Sequence, residues 1–399
     1  MLDAYLYLGL RTPFGRYAGA LSGVRPDDLL GGVIRALVAR AGLEPARIDD
    51  VIVGCTNQAG EDSRNIARHA ALLAGLPVAI PGITVNRLCG SGLAALLDAA
   101  HAATSRQGEL FVVGGVEGMS RAPFVQAKAE APFARELRVF DTTLGARFPN
   151  PLLERQYGRD TMPETADNIA RELAVSREAS DAFALASQRK YAAAAASGFF
   201  AGEIEPVTVA ARRGAAVTVM LDEHPRADTT LERLAALAPL FSGGVVTAGN
   251  ASGINDGAVA LLVGSRAAGE RLGLTPLARV LAGAVAGVEP RVMGLGPVPA
   301  IHKALRRAGL ALGAVDVIEI NEAFATQVLG CLRQLQLDDA DPRVNPNGGA
   351  IAIGHPLGAS GARLALTAAR ELLRRGARYA VASMCIGVGQ GIAVVLERG

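Results

Sequence analysis

The chain has 399 residues, half of them hydrophobic, 4% aromatic and none Trp, a composition suited to two or three domains packed from Ala, Val, Leu and Gly in layered helices and buried strands. Lys and Arg number 40 against 38 Asp and Glu, a formal net charge of +2; this argues against a nucleic-acid partner and leaves any anionic ligand to a local cluster. The cysteines, at 55, 89, 331 and 385, form no CxxC pair and have no histidine at ligand spacing, so neither a metal site nor a disulfide framework is indicated, and reduced thiols in the cytosol are expected.

The opening "MLDAYLYLGLRTPFG" lacks the basic start of a signal peptide, and no later apolar run reaches membrane-spanning length; a cytoplasmic protein with no membrane partner is expected. "IDDVIVGC" (48 to 55) reads as a buried strand, and "VNRLCGSGLAALLDAAH" (85 to 101) as a turn carrying Cys89 into a helix. A strand, "ELFVVGG", follows. From about 122 to 247, Pro123, Pro132, Pro149, Pro151 and Pro163 break the pattern, marking a candidate insertion. It contains one clear helix, with Ser176 as N-cap and Gly198 as its stop, and "KYAAAAASG" reflects helix propensity. "TAGNASGINDGA" (247 to 258) reads as a polar loop able to contact a ligand. Thereafter "VDVIEI", "ARYAVASM" and "IAVVLE" read as strands, interleaved with "NEAFA" (321 to 325), "NPNGGAIAIGHPLGASG" (345 to 361) and "MCIGVGQG" (384 to 391).

The chain repeats itself. "LCGSGLAALLDAAH" (88 to 101) aligns with "LGASGARLALTAAR" (357 to 370), matching the Leu, the Ser-Gly and the later Ala-Ala and placing Cys89 opposite Gly358. "IDDVIVGC" aligns with "AVDVIEIN" (314 to 321). Repetition on this scale implies two similar α/β halves, each expected to form a mostly parallel sheet covered by helices, with ligands at strand ends and helix starts.

Those points carry the candidate chemistry. Small residues and a helix N-terminus around Cys89 are expected to lower its pKa and make it a nucleophile; taken alone, it also reads as a small buried hydrophobe. Asn321 either caps the following helix or holds a water. His355, among five glycines, reads as a base or as a turn histidine. Cys385 ends a strand before glycines, and the strand after it argues against a nicotinamide site. Cys55 and Cys331 read as core, and His69, His101, His224 and His302 as surface residues.

"NRLCGSGL", "TAGNASGINDGA", "NEAFA", "GGAIAIGHPLGASGAR" and "CIGVGQG", in this order over nearly the whole chain, resemble the thiolases, acyl-CoA:acetyl-CoA C-acyltransferases. The resemblance implies two βαβαβαββ halves in a five-layered αβαβα sandwich with an inserted loop domain. The expected division is 1–121 with 248–272, a loop domain at 122–247 for coenzyme A and oligomer contacts, and 273–399. It further implies Cys89 as the acylated nucleophile, His355 as its base and Cys385 as the second acid/base. Asn321 would hold a water that forms one oxyanion hole with His355, and the backbone amides of Cys89 and Gly387 would form the other. Ser252 would contact the pantetheine arm and Arg226 the coenzyme, which is a substrate here; no permanently bound cofactor or metal is implied. A homotetramer built as a dimer of dimers is expected.

Within the family, "DTTLGARFPNPLLERQYG" and Thr161 before Met162 resemble the 3-oxoadipyl-CoA (β-ketoadipyl-CoA) branch, which forms succinyl-CoA and acetyl-CoA. A distal carboxylate requires a cationic partner. Arg135, Arg138, Arg147, Arg155 and Arg159 are available, and Arg147 or Arg155 is the expected reader. Condensation of two acetyl-CoA to acetoacetyl-CoA is the alternative within the family. A non-catalytic acyl-CoA or lipid-binding protein is the alternative outside it. A decarboxylating ketosynthase would be expected to pair its cysteine with two histidines, and only His355 lies in such a motif.

Overall fold

The computed structural model describes residues 1–210 and 214–399; the three others fall inside the segment expected to be the insertion. The first half runs β1 (Ala4–Arg11), α1 (Pro26–Ala41), β2 (Asp50–Gly54), α2 (Ile66–Leu73), β3 (Gly82–Val85), α3 (Ser91–Thr104) and β4 (Leu110–Gly118). A long excursion bearing α4 (Met162–Glu172) and α5 (Arg177–Ala196) precedes β5 (Asn255–Gly264). The second half runs β6 (Ala278–Gly287), α6 (Pro297–Ala308), β7 (Val317–Ile320), α7 (Ala325–Gln334), α8 (Leu357–Arg375), β8 (Tyr379–Ile386) and β9 (Gln390–Arg398). Local signals set many of the ends. Pro26 opens α1 with Asp27 and Asp28 in its first turn, and Gly42 closes it in the left-handed region at φ 63°. Ser176 accepts from the Ala179 N–H at 3.2 Å, and Gly198, at φ 75°, follows the end of α5, as the sequence suggests.

The strands lie in the order β7-β8-β9-β6-β1-β5-β4-β2-β3, a ten-stranded sheet with Gly15–Arg16 added beside β5. In the first half β2 pairs in parallel with β3 and β4, and β4-β5 and β5-β1 are antiparallel. The second half repeats this: a parallel bridge from Ile318 to Val344, parallel β7-β8, then antiparallel β8-β9 and β9-β6. The expected mostly parallel sheets are therefore mixed. Parallel neighbours occur where a helix carries the chain back, as α2 does between β2 and β3; β9 instead follows β8 through a tight hairpin, which reverses it. Val388 at φ 64° and Gly389 at φ 82° make that turn.

Helices α1 and α2 bury one face of the first half, and α6 and α7 the outer face of the second. Between the halves, α3 and α8 fill the central layer against the strands of both, completing the five-layered αβαβα sandwich. These two helices cross at repeat-equivalent glycines. A Cβ on Gly92 would lie 2.6 Å from the Ala362 nitrogen, and one on Gly361 would lie 2.5 Å from the Leu93 nitrogen, so only glycine permits this approach. The helix starts that carry the candidate site residues are thereby brought face to face.

The excursion is anchored on β1. Arg11, fully buried, donates from Nε to Glu203 at 2.7 Å and from both terminal nitrogens to Asp222 at 2.6 and 2.9 Å, a bidentate pair in the interior. The loop expected over 247–258 ends early, because β5 begins at Asn255 and is buried throughout. Its polar start is bonded internally: Asn255 donates to the Gly15 carbonyl, and Asp256 Oδ1 accepts from the Ser120 N–H. Among the described residues no helix is long and apolar enough to cross a membrane.

Candidate active site

Cys89 stands on the turn between β3 and α3. Leu88 before it holds a positive φ of 47°, a strained conformation for leucine that turns the following residue off the strand direction. Ser91 pins the turn, donating to the Leu88 carbonyl at 2.6 Å and accepting from the Arg87 N–H at 2.9 Å. The low thiol pKa expected from a helix N-terminus is not found: burial pushes Cys89 up to about 11, opposed in part by the N–H groups of Gly387 and of Cys89 itself. The first free N–H groups of the turn, those of Gly90 and Ser91, are spent on the Arg87 and Leu88 carbonyls. At rest the sulfur is a neutral thiol, and the two amides that face it are the pair expected to form an oxyanion hole.

His355 precedes α8. Gly354 permits its position with φ 106°, where a Cβ would lie 2.6 Å from Asn255 Cγ, and Asn255 Oδ1 accepts the His355 N–H at 2.8 Å. On the ring, Nδ1 lies 2.6 Å from Ser360 Oγ, whose own proton goes to the Pro356 carbonyl at 2.9 Å. Ser360 therefore accepts, the ring proton resides on Nδ1, and Nε2 presents a lone pair. Burial and then the charge of Arg363 lower the His355 pKa to about 3, so the ring is neutral and Nε2 is a free base.

Asn321 is fully buried with Nδ2 3.4 Å from His355 Nε2. It does not cap α7, whose N-cap is Phe324, which removes the capping alternative. Its Oδ1 has no hydrogen-bond partner among the described residues, a costly arrangement for a buried carbonyl that suits a group meant to hold a water or a ligand. Cys385 is 2% exposed on β8, its pKa well raised by burial and then by the nearby Cys89, so it too rests as a thiol. Cys89, from the first half, thus meets Cys385 and the Gly387 amide of the second, while His355 meets Asn321, whose N–H bonds the Ser383 carbonyl two residues before Cys385. Cys55 and Cys331 are core, as read from the sequence.

Ser252 lies in the loop before β5, its N–H on the Ala323 carbonyl of the "NEAFA" segment at 2.9 Å. Arg226 is exposed and donates its backbone N–H to Gln188; no side-chain bond ties it to Cys89, His355, Asn321 or Cys385 among the described residues. His224, read from sequence as a surface residue, is half-buried with its ring against Gly253, and burial followed by the charge of Arg226 lowers its pKa to about 4. The other three histidines outside the site are exposed.

Sequence reasoning missed three supporting residues. Ser360 is visible as the repeat partner of Ser91, and Asn255 lies in the polar segment read as a ligand-contacting loop. Glu117, a lone charge inside "VVGGVEGM", is 2% exposed and forms no ion pair among the described residues; it accepts N–H groups of Thr56, Asn57 and Gly358 at 3.0, 3.1 and 2.9 Å.

The chain matches the N-terminal domain of thiolase over residues 6–267 and the C-terminal domain of thiolase over 274–398. It belongs to the thiolase family. Thiolases are acyltransferases that use coenzyme A thioesters as substrates. The chain is 58% identical over 400 residues, all of both chains, to the Escherichia coli "Beta-ketoadipyl-CoA thiolase". The identity is also 58% over 400 residues and all of both chains to the "3-oxoadipyl-CoA/3-oxo-5,6-dehydrosuberyl-CoA thiolase" of Escherichia coli K12. Among solved structures, the Bacillus anthracis acetyl-CoA acetyltransferase superposes with a TM-score of 0.93 at 40% identity, covering 100% of this chain and 99% of the other. Human mitochondrial 3-ketoacyl-CoA thiolase in complex with CoA gives 0.92 at 39%, covering 100% and 98%.

Proposed function

We propose that this thiolase cleaves 3-oxoadipyl-CoA with coenzyme A to succinyl-CoA and acetyl-CoA through an acyl-Cys89 intermediate. The observation that carries the reading is a neutral His355 whose Nε2 lone pair meets Asn321, beside the strand that carries Cys385 to the Cys89 turn; the full-length relatives named for this substrate support its acyl chain. His355 Nε2 takes the Cys89 proton as substrate docks, and the thiolate attacks the C3 carbonyl, whose oxyanion is held by the Cys89 and Gly387 amides. The C2–C3 bond breaks and its electron pair passes into the acetyl-CoA enolate, held by protonated His355 and a water on Asn321. The Cys385 thiol then protonates C2. Its thiolate next takes the proton of incoming coenzyme A, which attacks the acyl-Cys89 thioester and frees Cys89, whose proton returns from His355.

The segment 122–247 acts in this reading as a loop domain for coenzyme A, inserted between 1–121 and 248–272 and followed by the second half at 273–399. Arg226 and Ser252 contact the coenzyme, and the protein works in the cytoplasm as a homotetramer. Phe133, Leu137 and Phe124 support the assembly, being large apolar side chains 99, 72 and 73% exposed on one short stretch. Light scattering at micromolar concentration is expected to give the tetramer mass; a stable monomer would refute it.

Of the arginines available for the distal carboxylate, Arg147 is favoured over Arg155. Arg147 is half-buried, donates from Nη2 to the Thr142 carbonyl at 2.6 Å and keeps a buried Nε with no partner among the described residues, whereas Arg155 is exposed. Arg147→Ala is expected to lower kcat/KM for 3-oxoadipyl-CoA by roughly tenfold or more and to leave acetoacetyl-CoA cleavage within about twofold. Steady-state kinetics on the two substrates checks this, and an unchanged ratio removes Arg147 as the reader.

A further inference from the structure

The strand registers superpose the two halves residue by residue. Gly54 pairs with Gly115 in the first half and Ile320 with Ser383 in the second, so Cys55, after the strand, is the counterpart of Asn321, and Glu117 is the counterpart of Cys385. The antiparallel neighbours agree: Glu117 lies opposite Gly257 and Cys385 opposite Gly391. The helix starts superpose Gly358 on Cys89, Ser360 on Ser91 and His355 on Asn86. The four active-site side chains therefore have a second set related by the internal repeat: Asn86, Cys55, Glu117 and Gly358. The real site takes its cysteine nucleophile from the first half and the other three residues from the second. The image takes Gly358 from the second half and the other three from the first.

In this image the nucleophile is replaced by a glycine whose Cβ would lie 2.5 Å from the Val116 carbonyl, so no cysteine side chain fits there. The Glu117 carboxylate occupies it instead. Its Oε2 accepts the N–H groups of Thr56 and Gly358, and its Oε1 that of Asn57. Gly358 lies in the first turn of α8, which also carries Ser360, the acceptor of the His355 ring proton. From Thr56 the connection runs the other way: its carbonyl accepts from Asn86 Nδ2 at 3.1 Å, and Asn86 Oδ1 accepts the Leu88 N–H at 2.9 Å, next to Cys89.

We propose that Glu117 is a positioning residue, a fixed carboxylate in a degenerate second copy of the active site that sets the His355 helix start and the Cys89 turn relative to each other. The inference rests on Cys89 being the nucleophile and His355 its base. It differs from simple support of the fold, because what Glu117 fixes is the separation of two reacting groups contributed by different halves. Replacing one carboxylate oxygen by an amide, in Glu117→Gln, turns an N–H donor toward N–H donors and breaks one arm of the clamp.

The test compares Glu117→Gln with the parent and with Cys89→Ala. For Glu117→Gln, kcat is expected to fall by about tenfold or more while KM for coenzyme A stays within about twofold, and iodoacetamide alkylation of Cys89 slows in parallel. A kcat within about twofold of the parent, even with a lower Tm, overturns the proposal and leaves Glu117 a structural residue. If Glu117→Gln does not fold, Asn86→Ala, which cuts the arm to Leu88 on an exposed side chain, decides: loss of kcat with KM kept supports the clamp, and parental kcat refutes it. Activity retained in Cys89→Ala would instead refute the nucleophile assignment, whereas activity lost there and kept in Glu117→Gln refutes this inference alone.

Discussion

Cys89→Ala is expected to lower kcat by roughly 10⁴-fold or more and to abolish the acyl adduct, whereas Cys385→Ala still accepts an acyl group on residue 89 but loses carbon–carbon cleavage to a similar degree. The two thiols are near enough for charge on Cys89 to raise the pKa of Cys385, yet they face different partners. Cys89 has the Gly387 and Cys89 amides at its sulfur, an environment that stabilises charge on the attacking atom and on the oxygen that follows. Cys385 is buried among Ala251, Met293, Ala323 and Phe324, where a neutral thiol is favoured and a proton can be delivered to carbon. Mass spectrometry of both variants after exposure to acetyl-CoA, beside steady-state cleavage rates, reads the two effects separately. An undiminished adduct in Cys89→Ala, or normal cleavage in Cys385→Ala, contradicts the division of labour.

His355→Asn is expected to slow iodoacetamide alkylation of Cys89 near neutral pH by roughly tenfold or more, since the base that takes the thiol proton is lost. The pH dependence has a definite sign. In the resting protein the ring stays neutral down to about 3, so protonation of His355 does not limit the parent near the ordinary histidine value of 6.5, and reactivity persists into mild acid. In the variant only direct ionisation of the thiol remains, and the alkylation rate climbs with pH toward about 11. Stopped alkylation time courses across pH measure both curves. Superimposable curves would show that His355 does not activate Cys89.

What the sequence disclosed and what it withheld have physical reasons. The duplication was legible because helix starts at Cys89 and Gly358 share Ser-Gly steps that the crossing of α3 and α8 demands. Ser176 and Gly198 marked their helix because caps are local. The sheet was misjudged as mostly parallel because the direction of β9 depends on a short hairpin and that of β5 on where a long excursion returns, neither of which periodicity records. The Cys89 pKa was misjudged because helix-end N–H groups are visible in sequence, while burial of the sulfur and the carbonyls that consume those groups are tertiary. His224 looked like a surface residue for the same reason: only the fold sets its ring against Gly253. Glu117 carried a faint signal, a charge inside an apolar strand, whose meaning required knowing which backbone amides gather around it.

The central claim is that 3-oxoadipyl-CoA acylates Cys89. It is tested most directly by mixing the full-length protein with 3-oxoadipyl-CoA in the absence of coenzyme A, quenching in acid and mapping peptides by mass spectrometry. A succinyl adduct on the peptide containing Cys89, formed together with one equivalent of acetyl-CoA and discharged as succinyl-CoA when coenzyme A is added, is the predicted result. Release of acetyl-CoA with no adduct on Cys89, or with the succinyl group on another residue, would contradict it.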